Sequence, residues 1–197
     1  GKWGTDITGV SATPGSGEVA KWSDTTSGDP IGDIRTGKTA VLESTGFMPN
    51  TLVVNQSVFD ALIDHPDIVD RIKYGQTVGG PAMANEQTLA ALFGLDRILI
   101  SRAIRNTAAE GATNSHSFIA GDNALLCYVP PSPSLMTPAA GYTFSWTGYL
   151  GQSNAFGAAI SRIRLDTKRA DRIEGETAYD QKLVAAEMGY FWDTIVA

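Results

Sequence analysis

Residues 29–74 read DPIGDIRTGKTAVLESTGFMPNTLVVNQSVFDALIDHPDIVDRIKY. This stretch decides the fold, because start, stop and face signals follow one another in it without a gap. Asp29 is an N-cap residue, and Pro30 suits the first helical position, where a missing N–H costs nothing. Ile31, Ile34, Val41 and Leu42 fall near helical spacing and predict one apolar stripe, with Arg35, Lys38 and Glu43 toward water. Gly46 supplies a left-handed C-cap and Pro49 bars continuation. Thr51, Leu52, Val53 and Val54 then form a short apolar run of the buried-strand type. Ser57 and Asp60 look like a capping pair for a helix carrying Val58, Phe59, Leu62 and Ile63. Pro66 opens another helix, with Ile68, Val69 and Ile72 on its apolar side.

Upstream, residues 1–28 are rich in Gly, Ser and Thr, with Trp3, Ile7, Val10, Val19 and Trp22 spaced between. They predict two short strands joined by a turn at Pro14 and Gly15. A free-standing hairpin of that length is marginal, so its tryptophans are expected to dock on a sheet or on a neighbouring subunit. Downstream, a Gly/Pro loop (75–84) leads to a helix capped by Asn85, carrying Leu89, Leu92 and Phe93 and ended by Gly94. A strand is expected from Arg97 to Ala103, with nothing to fix parallel pairing, and then a small-residue loop (106–115). Phe118 and Ile119 pair with Ala124–Val129 across a turn at Gly121, Asp122 and Asn123. Pro130, Pro131, Pro133 and Pro138 make an exposed connection that cannot be a central strand. Tyr142–Trp146 is strand-like, and 160–165 alternates, with Ser161, Ile163 and Leu165 opposite Arg162 and Arg164. Residues 166–176 form a solvated, charged strand or turn. The segment from Leu183 to Val196 reads chiefly as a terminal strand closing the sheet.

Composition narrows the function classes. At 43% hydrophobic and 18% charged residues the 197-residue chain buries a real core and is not a disordered segment. A formal net charge of −6 disfavours a broad nucleic-acid-binding surface. One cysteine, Cys127, leaves no internal disulfide and no cysteine zinc cluster, which fits a reducing compartment. No apolar run approaches a membrane span and the start lacks a signal-peptide pattern, so the expectation is a soluble chain of intracellular origin.

Chemistry-bearing motifs are weak throughout. Gly151-Gln152-Ser153-Asn154-Ala155 approaches a nucleophile elbow, but its last glycine is an alanine. Both histidines, His65 and His116, precede Ser153, whereas that family needs its histidine afterwards. His65 sits at a helix junction, as a cap or packed residue; His116 stands alone beside a loop, and the two do not make zinc spacing. Asp60, Asp64, Asp67 and Asp70 lack calcium-loop spacing and read as a solvated face. Asp171, Glu174, Glu176 and Asp180 are interleaved with Arg169 and Arg172, which favours charge complementarity across an interface over acid–base catalysis. Cys127 reads as a small buried hydrophobe. No catalytic, cofactor-binding or metal-ligating residue is assigned, and the chain is expected not to be an enzyme.

Four segments, in one order, carry a resemblance. They are GFMPNTLVVNQSVFDALIDHPDIVDRIKYG (46–75), NEQTLAALFGLDRILISRAIRNTAAEG (85–111), FIAGDNALLCYVPPSPSLMTPAAGYTFSWTG (118–148) and YDQKLVAAEMGYFWDTIV (179–196). Together they resemble tailed-phage major capsid proteins of the Hong Kong 97 fold, which encapsulin shells share. The resemblance implies an α+β fold with a spine helix, a peripheral-domain sheet and a mixed α/β axial domain. On that pattern residues 1–46 are the first part of the peripheral domain, with 29–45 as its spine helix. Residues 47–148 are the axial domain, and 149–197 are the peripheral domain's C-terminal strands. It implies a virion component, assembled in the host bacterial cytoplasm into pentamers and hexamers of an icosahedral shell. Such a shell encloses double-stranded DNA without sequence-specific binding, has no cofactor and no membrane, and meets scaffolding, portal or decoration proteins. Capsid proteins of this kind carry more chain before this point, an N-terminal arm and an extended loop. Candidate interface features are the Trp3/Trp22 leader, the proline loop 130–138 and the charged stretch 166–180. The alternatives are an encapsulin-like compartment with protein cargo and, more weakly, a serine hydrolase built on Ser153.

Overall fold

In the computed structural model, which describes residues 2–11, 13–75, 84–134, 136–146, 148 and 158–197, the capped helix expected after Asp29 is present in full. Strands β1 (Thr5–Val10) and β2 (Glu18–Ala20) precede helix α1 (Pro30–Thr45). Then come β3 (Thr51–Asn55), α2 (Gln56–Asp64), α3 (Pro66–Gly75), α4 (Glu86–Phe93) and β4 (Arg97–Ser101). β5 (Ile104–Asn106), β6 (His116–Phe118), β7 (Ala124–Cys127) and β8 (Gly141–Ser145) follow. β9 (Ala158–Leu165), β10 (Ala170–Thr177), β11 (Tyr179–Leu183) and, after a 3-10 turn, β12 (Gly189–Asp193) complete the chain. Two compact units result: Gly1–Ala140 with Ala185–Ala197, and Gly141–Val184.

The caps explain where the helices begin and stop. The Asp29 carboxylate accepts from the Gly32 N–H at 2.8 Å, and Gly46, at φ 76°, sends its own N–H back to the Leu42 carbonyl. Asn85 and Thr88 cap α4 reciprocally, and Gly94 ends it at φ 62°. Helix α2 corrects the sequence reading: its cap is Asn55, whose side chain accepts from Val58 N–H at 2.8 Å, and not Ser57. Asn55 ends β3 and starts α2 at once, so strand and helix join with no loop between. Along α1 the buried line is Ile31, Ile34, Gly37 and Val41. Leu42, one residue on, is turned about 100° off that line and stays exposed.

The larger unit is built on one mixed six-stranded sheet in the order β2-β1-β12-β7-β3-β4. β3 runs parallel to β4, β12 parallel to β1 and β1 parallel to β2, while β7 is antiparallel to both β3 and β12. The first two strands are therefore not a hairpin. β2 runs alongside β1 so that the chain beyond it reaches the end of the sheet, where Trp22 N–H donates to the Ile195 carbonyl at 2.8 Å. β6 likewise pairs with β5 and not with β7. β7 is apolar on both faces and lies between two partners, as a central strand should. The long apolar tail supplies only five residues of strand, β12, and its first residue belongs instead to β11.

Strand alternation sorts the sheet into two unlike faces. Leu52, Leu126, Val54, Ala124, Tyr190 and Trp192 face the helices and are buried with α1 to α4 in one core. Val53, Leu125 and Phe191, on the opposite face, are only partly covered, and Leu99 beside them is exposed. Cys127, Ala140 and Met188, with Trp3 against them, form a smaller apolar cluster.

At the centre of the core Trp192 is fully buried, with its ring 5.5 Å from Trp22 and 4.7 Å from Tyr190. Helix α1 crosses it at Gly37, where an added Cβ would lie 3.0 Å from the indole. Trp22 Nε1 donates to the Asp33 carboxylate on α1 at 2.8 Å. Burial pushes the Asp33 carboxyl above its ordinary 3.8; the Trp22 hydrogen bond opposes the rise and the Asp29 charge adds to it.

Two outcomes follow from this core. Trp192→Ala should lower stability by about 3–5 kcal/mol, read from urea midpoints. A carboxyl whose folded pKa is raised binds its proton more readily in the native state. Its contribution to stability is thus present below the unfolded value of 3.8 and is lost as pH rises through the folded value. Asp33→Asn, which keeps an acceptor for Trp22, should remove that component and flatten the urea midpoint against pH across the same window.

Candidate functional site

The smaller unit, residues 141–184, holds two ribbons of two strands each: β8 with β11, and β9 with β10. β9 and β10 pair antiparallel over eight residues, from Ala170 opposite Leu165 to Thr177 opposite Ala158. One face of this ribbon carries Arg162, Arg164, Asp171, Ile160 and Ile173; the other carries Ile163, Arg172 and Glu174. Ionic contacts cluster in the half of the ribbon near its turn. Asp171 accepts from Arg162 and, at 3.1 Å, from Arg164, which holds its carboxyl below the ordinary carboxylate value. Arg172 reaches Glu174 at 2.6 Å on the opposite face.

These pairs leave the apolar side chains outside. Ile160 is 75% exposed and Ile173 is 72% exposed, and the two are near neighbours on one face. Ile163 is exposed on the other face. In the second ribbon Phe144, Tyr179 and Leu183 are exposed as well. Phe144, Trp146, Tyr179 and Asp180 line an open cleft of about 490 Å³. A two-stranded ribbon has no second layer of its own in which to bury these side chains. The ribbon isoleucines were legible in one respect. Ile160 and Ile163 are an odd number of residues apart, so a strand must put one on each face, and a lone ribbon cannot bury both.

The charged stretch expected at an interface thus pairs largely within the chain. Asp171 and Glu174 have the arginine partners just named, and Asp180 meets Lys182 at 3.2 Å. The leader divides. Trp22 is core and so is not available to a neighbour, while Trp3 lies over Gly189. In the proline connection Pro130 is buried, and Ser134 and Thr137 tie the turn beyond it, with Ser134 N–H donating to Thr137 Oγ1 at 2.8 Å.

The residues weighed for chemistry are scattered. Ser153 and its neighbours 151–155 lie outside the described residues. His116 is exposed in β6. His65 ends α2, as a packed junction residue: its ring is buried with no hydrogen-bond partner, Nδ1 stands 3.9 Å from Asp67, and its carbonyl accepts from the Ile68 and Val69 N–H groups. Asp60, Asp64, Asp67 and Asp70 are all exposed. Among the described residues no group of three or more His, Cys, Asp and Glu side chains is placed to hold a metal, and no helix is long and apolar enough to cross a membrane. Cys127 is buried, and burial pushes its thiol up to about 11, against a small opposing pull from Arg97.

The profile described as phage major capsid protein E matches residues 16–140. The major capsid protein of Burkholderia phage BcepMu is 25% identical over 167 residues, which is 82% of this chain and 49% of that protein. The chain therefore spans about half the length of this curated relative. The crystal structure of a phage-related protein from Bordetella bronchiseptica RB50 superposes with a TM-score of 0.73 at 25% identity, over 97% of this chain and 56% of that one. A chain from Mycobacterium phage Che8 aligns with a TM-score of 0.47 at 15% identity, over 100% of this chain and 55% of its own.

A thiol with so high a pKa in a covered strand is not a nucleophile at neutral pH. Cys127 should resist alkylation by iodoacetamide in the native protein and react fully in 8 M urea (about the usual unfolding limit), as read by intact mass.

Proposed function

The chain belongs to the phage major capsid protein E family, and from that membership we propose that it is the structural subunit of a phage head, assembling with copies of itself into a closed shell around double-stranded DNA. The match spans most of the larger unit and carries the proposal; the exposed apolar ribbons of residues 141–184 are the surface it needs. A shell requires no catalytic centre. It requires one chain to present surfaces that other copies cover, each contact weak and the sum large.

The finer reading is a Hong Kong 97-type fold, with pentamers and hexamers as the assembling units. A mixed α+β architecture, a sixteen-residue α1 and the four resembling segments support it. The division into peripheral parts (1–46 and 149–197) and an axial part (47–148) belongs to the same proposal; the sheet β2-β1-β12-β7-β3-β4 draws strands from all three. Scaffolding, portal and decoration proteins are the further partners such a head meets. Nuclease-protected DNA inside the shell separates this reading from an encapsulin-like compartment, which would hold protein.

The proposal predicts that the ribbon face is covered on assembly. Ile160→Asp with Ile173→Asp should leave circular dichroism and melting unchanged, because both side chains are already in water. The same pair should abolish capsomers and shells in sedimentation and negative-stain images. Shells formed at the wild-type yield by this variant would remove the ribbon from the interface. A wild-type chain that stays monomeric at high concentration would overturn the assembly reading itself.

A further inference from the structure

A second surface lies in the larger unit, in a groove of about 440 Å³ bounded by α1, α3 and α4. Arg35 and Lys38 of α1 and Arg71 of α3 line it, with Met48, Leu92 and Phe93 as apolar walls. Lys38 is committed locally: its Nζ donates to the Phe93 and Gly94 carbonyls, each at 2.8 Å, and so neutralises the carbonyl end of α4. Arg35 and Arg71 are exposed, and neither makes an ion pair with a described residue. Two guanidinium groups beside apolar walls match a protein surface that offers carboxylates with apolar side chains among them.

The charge balance of the chain selects the occupant. Gly1–Ala140 with Ala185–Ala197 carries nine Lys and Arg against sixteen Asp and Glu, so unpaired cations together in one groove run against the surrounding surface. The densest exposed carboxylates are Asp60, Asp64, Asp67 and Asp70 on α2 and α3. Asp70 meets Lys73 at 3.8 Å and Asp60 accepts from Gln56, while Asp64 makes no ion pair with a described residue. Val69, between them, supplies apolar surface that is partly open. The acidic shoulder adjoins the groove, with Asp70 and Arg71 consecutive on α3, and the groove of one copy taking the shoulder of the next is a heterologous contact, the kind that closes rings when copies are related by rotation. Nucleic acid is the weaker fit, because a phosphate backbone offers no apolar side chains to the walls formed by Met48, Leu92 and Phe93.

We propose that the Arg35/Arg71 groove receives the acidic α2–α3 shoulder of a second copy of this chain, as a head-to-tail contact between neighbouring subunits. This inference rests on the assembly reading above and assigns it a specific pair of surfaces. At such a contact like charges repel and opposite charges attract, so one swap breaks it and the complementary swap remakes it.

The test uses two variants of the whole chain, Arg35→Glu with Arg71→Glu, and Asp60→Arg with Asp64→Arg. Each alone should self-associate at least about tenfold more weakly than wild type in sedimentation velocity at low salt. An equimolar mixture should recover association, because each variant's groove is complementary to the other's shoulder. Recovery also shows that both variants are folded. The groove's share of association, read as the difference between wild type and the Arg35→Glu with Arg71→Glu variant, should shrink as sodium chloride is raised, since exposed pairs are screened. Four results overturn the inference alone: a groove variant that associates like wild type, a shoulder variant that does so, a mixture that stays dissociated, or a short DNA duplex bound by wild type and lost in the groove variant while self-association is unchanged. Wild-type chains that never associate overturn the assembly reading and this contact with it.

Discussion

The larger unit depends on one buried ring. Trp192 comes from the strand nearest the C-terminus, yet it contacts Trp22 from the leader, and α1 crosses it at Gly37. Three distant parts of the chain are thereby fixed against the same side chain. A fully buried tryptophan removes about 150–250 Å² of surface from water, the largest such gain any side chain offers. Here that gain also covers a cost, because Trp192 Nε1 is buried without a hydrogen-bond partner, a deficit of about 1–3 kcal/mol. Trp22, by contrast, has an acceptor in Asp33, and that bond secures α1 over the sheet. A larger residue at position 37 would push the helix away, so glycine in mid-helix, ordinarily a loss of about 1 kcal/mol, serves close approach here.

The two units solve stability by different means. The larger one buries apolar rows from sheet and helices against each other, so its contacts are internal and independent of any partner. Residues 141–184 have paired strands and ion pairs, and leave isoleucine and aromatic side chains in water. Exposed ion pairs are worth only about 0–1 kcal/mol each. A surface of that composition gains most by being covered.

What the sequence disclosed follows the range of the forces involved. Caps, turns and helix starts depend on a few neighbouring residues, and Asp29, Gly46, Pro66, Asn85 and Gly94 all act in the places their chemistry indicates. Partner choice among strands was not legible. Parallel β1 and β2, and β7 inserted between β12 and β3, are decided by contacts between residues far apart in the chain. The α2 cap was misplaced for a local reason: Asn55 falls between the apolar run 51–54 and Ser57, and nothing in the spacing shows that one residue can close a strand and cap a helix together. Trp22 was legible as a docking residue, but whether the surface it docks on belonged to this chain or to another was not. Arg35 passed as an ordinary solvated side chain, since only the tertiary fold brings Arg71 to the same groove.

Charge then separates two kinds of contact that assembly could use. Copies of a chain with net charge −6 repel at long range, and salt weakens that repulsion over a Debye length of about 8–10 Å. Apolar contact through the ribbons gains nothing from charge, so it should strengthen as salt screens the copies from one another. Contact through the Arg35/Arg71 groove has the opposite dependence, because its attraction is itself screened. A subunit that carries both would favour oriented, groove-directed pairing at low ionic strength and ribbon-directed association at high ionic strength. Ionic strength therefore acts on which surface is engaged first, without any change in the fold of either unit.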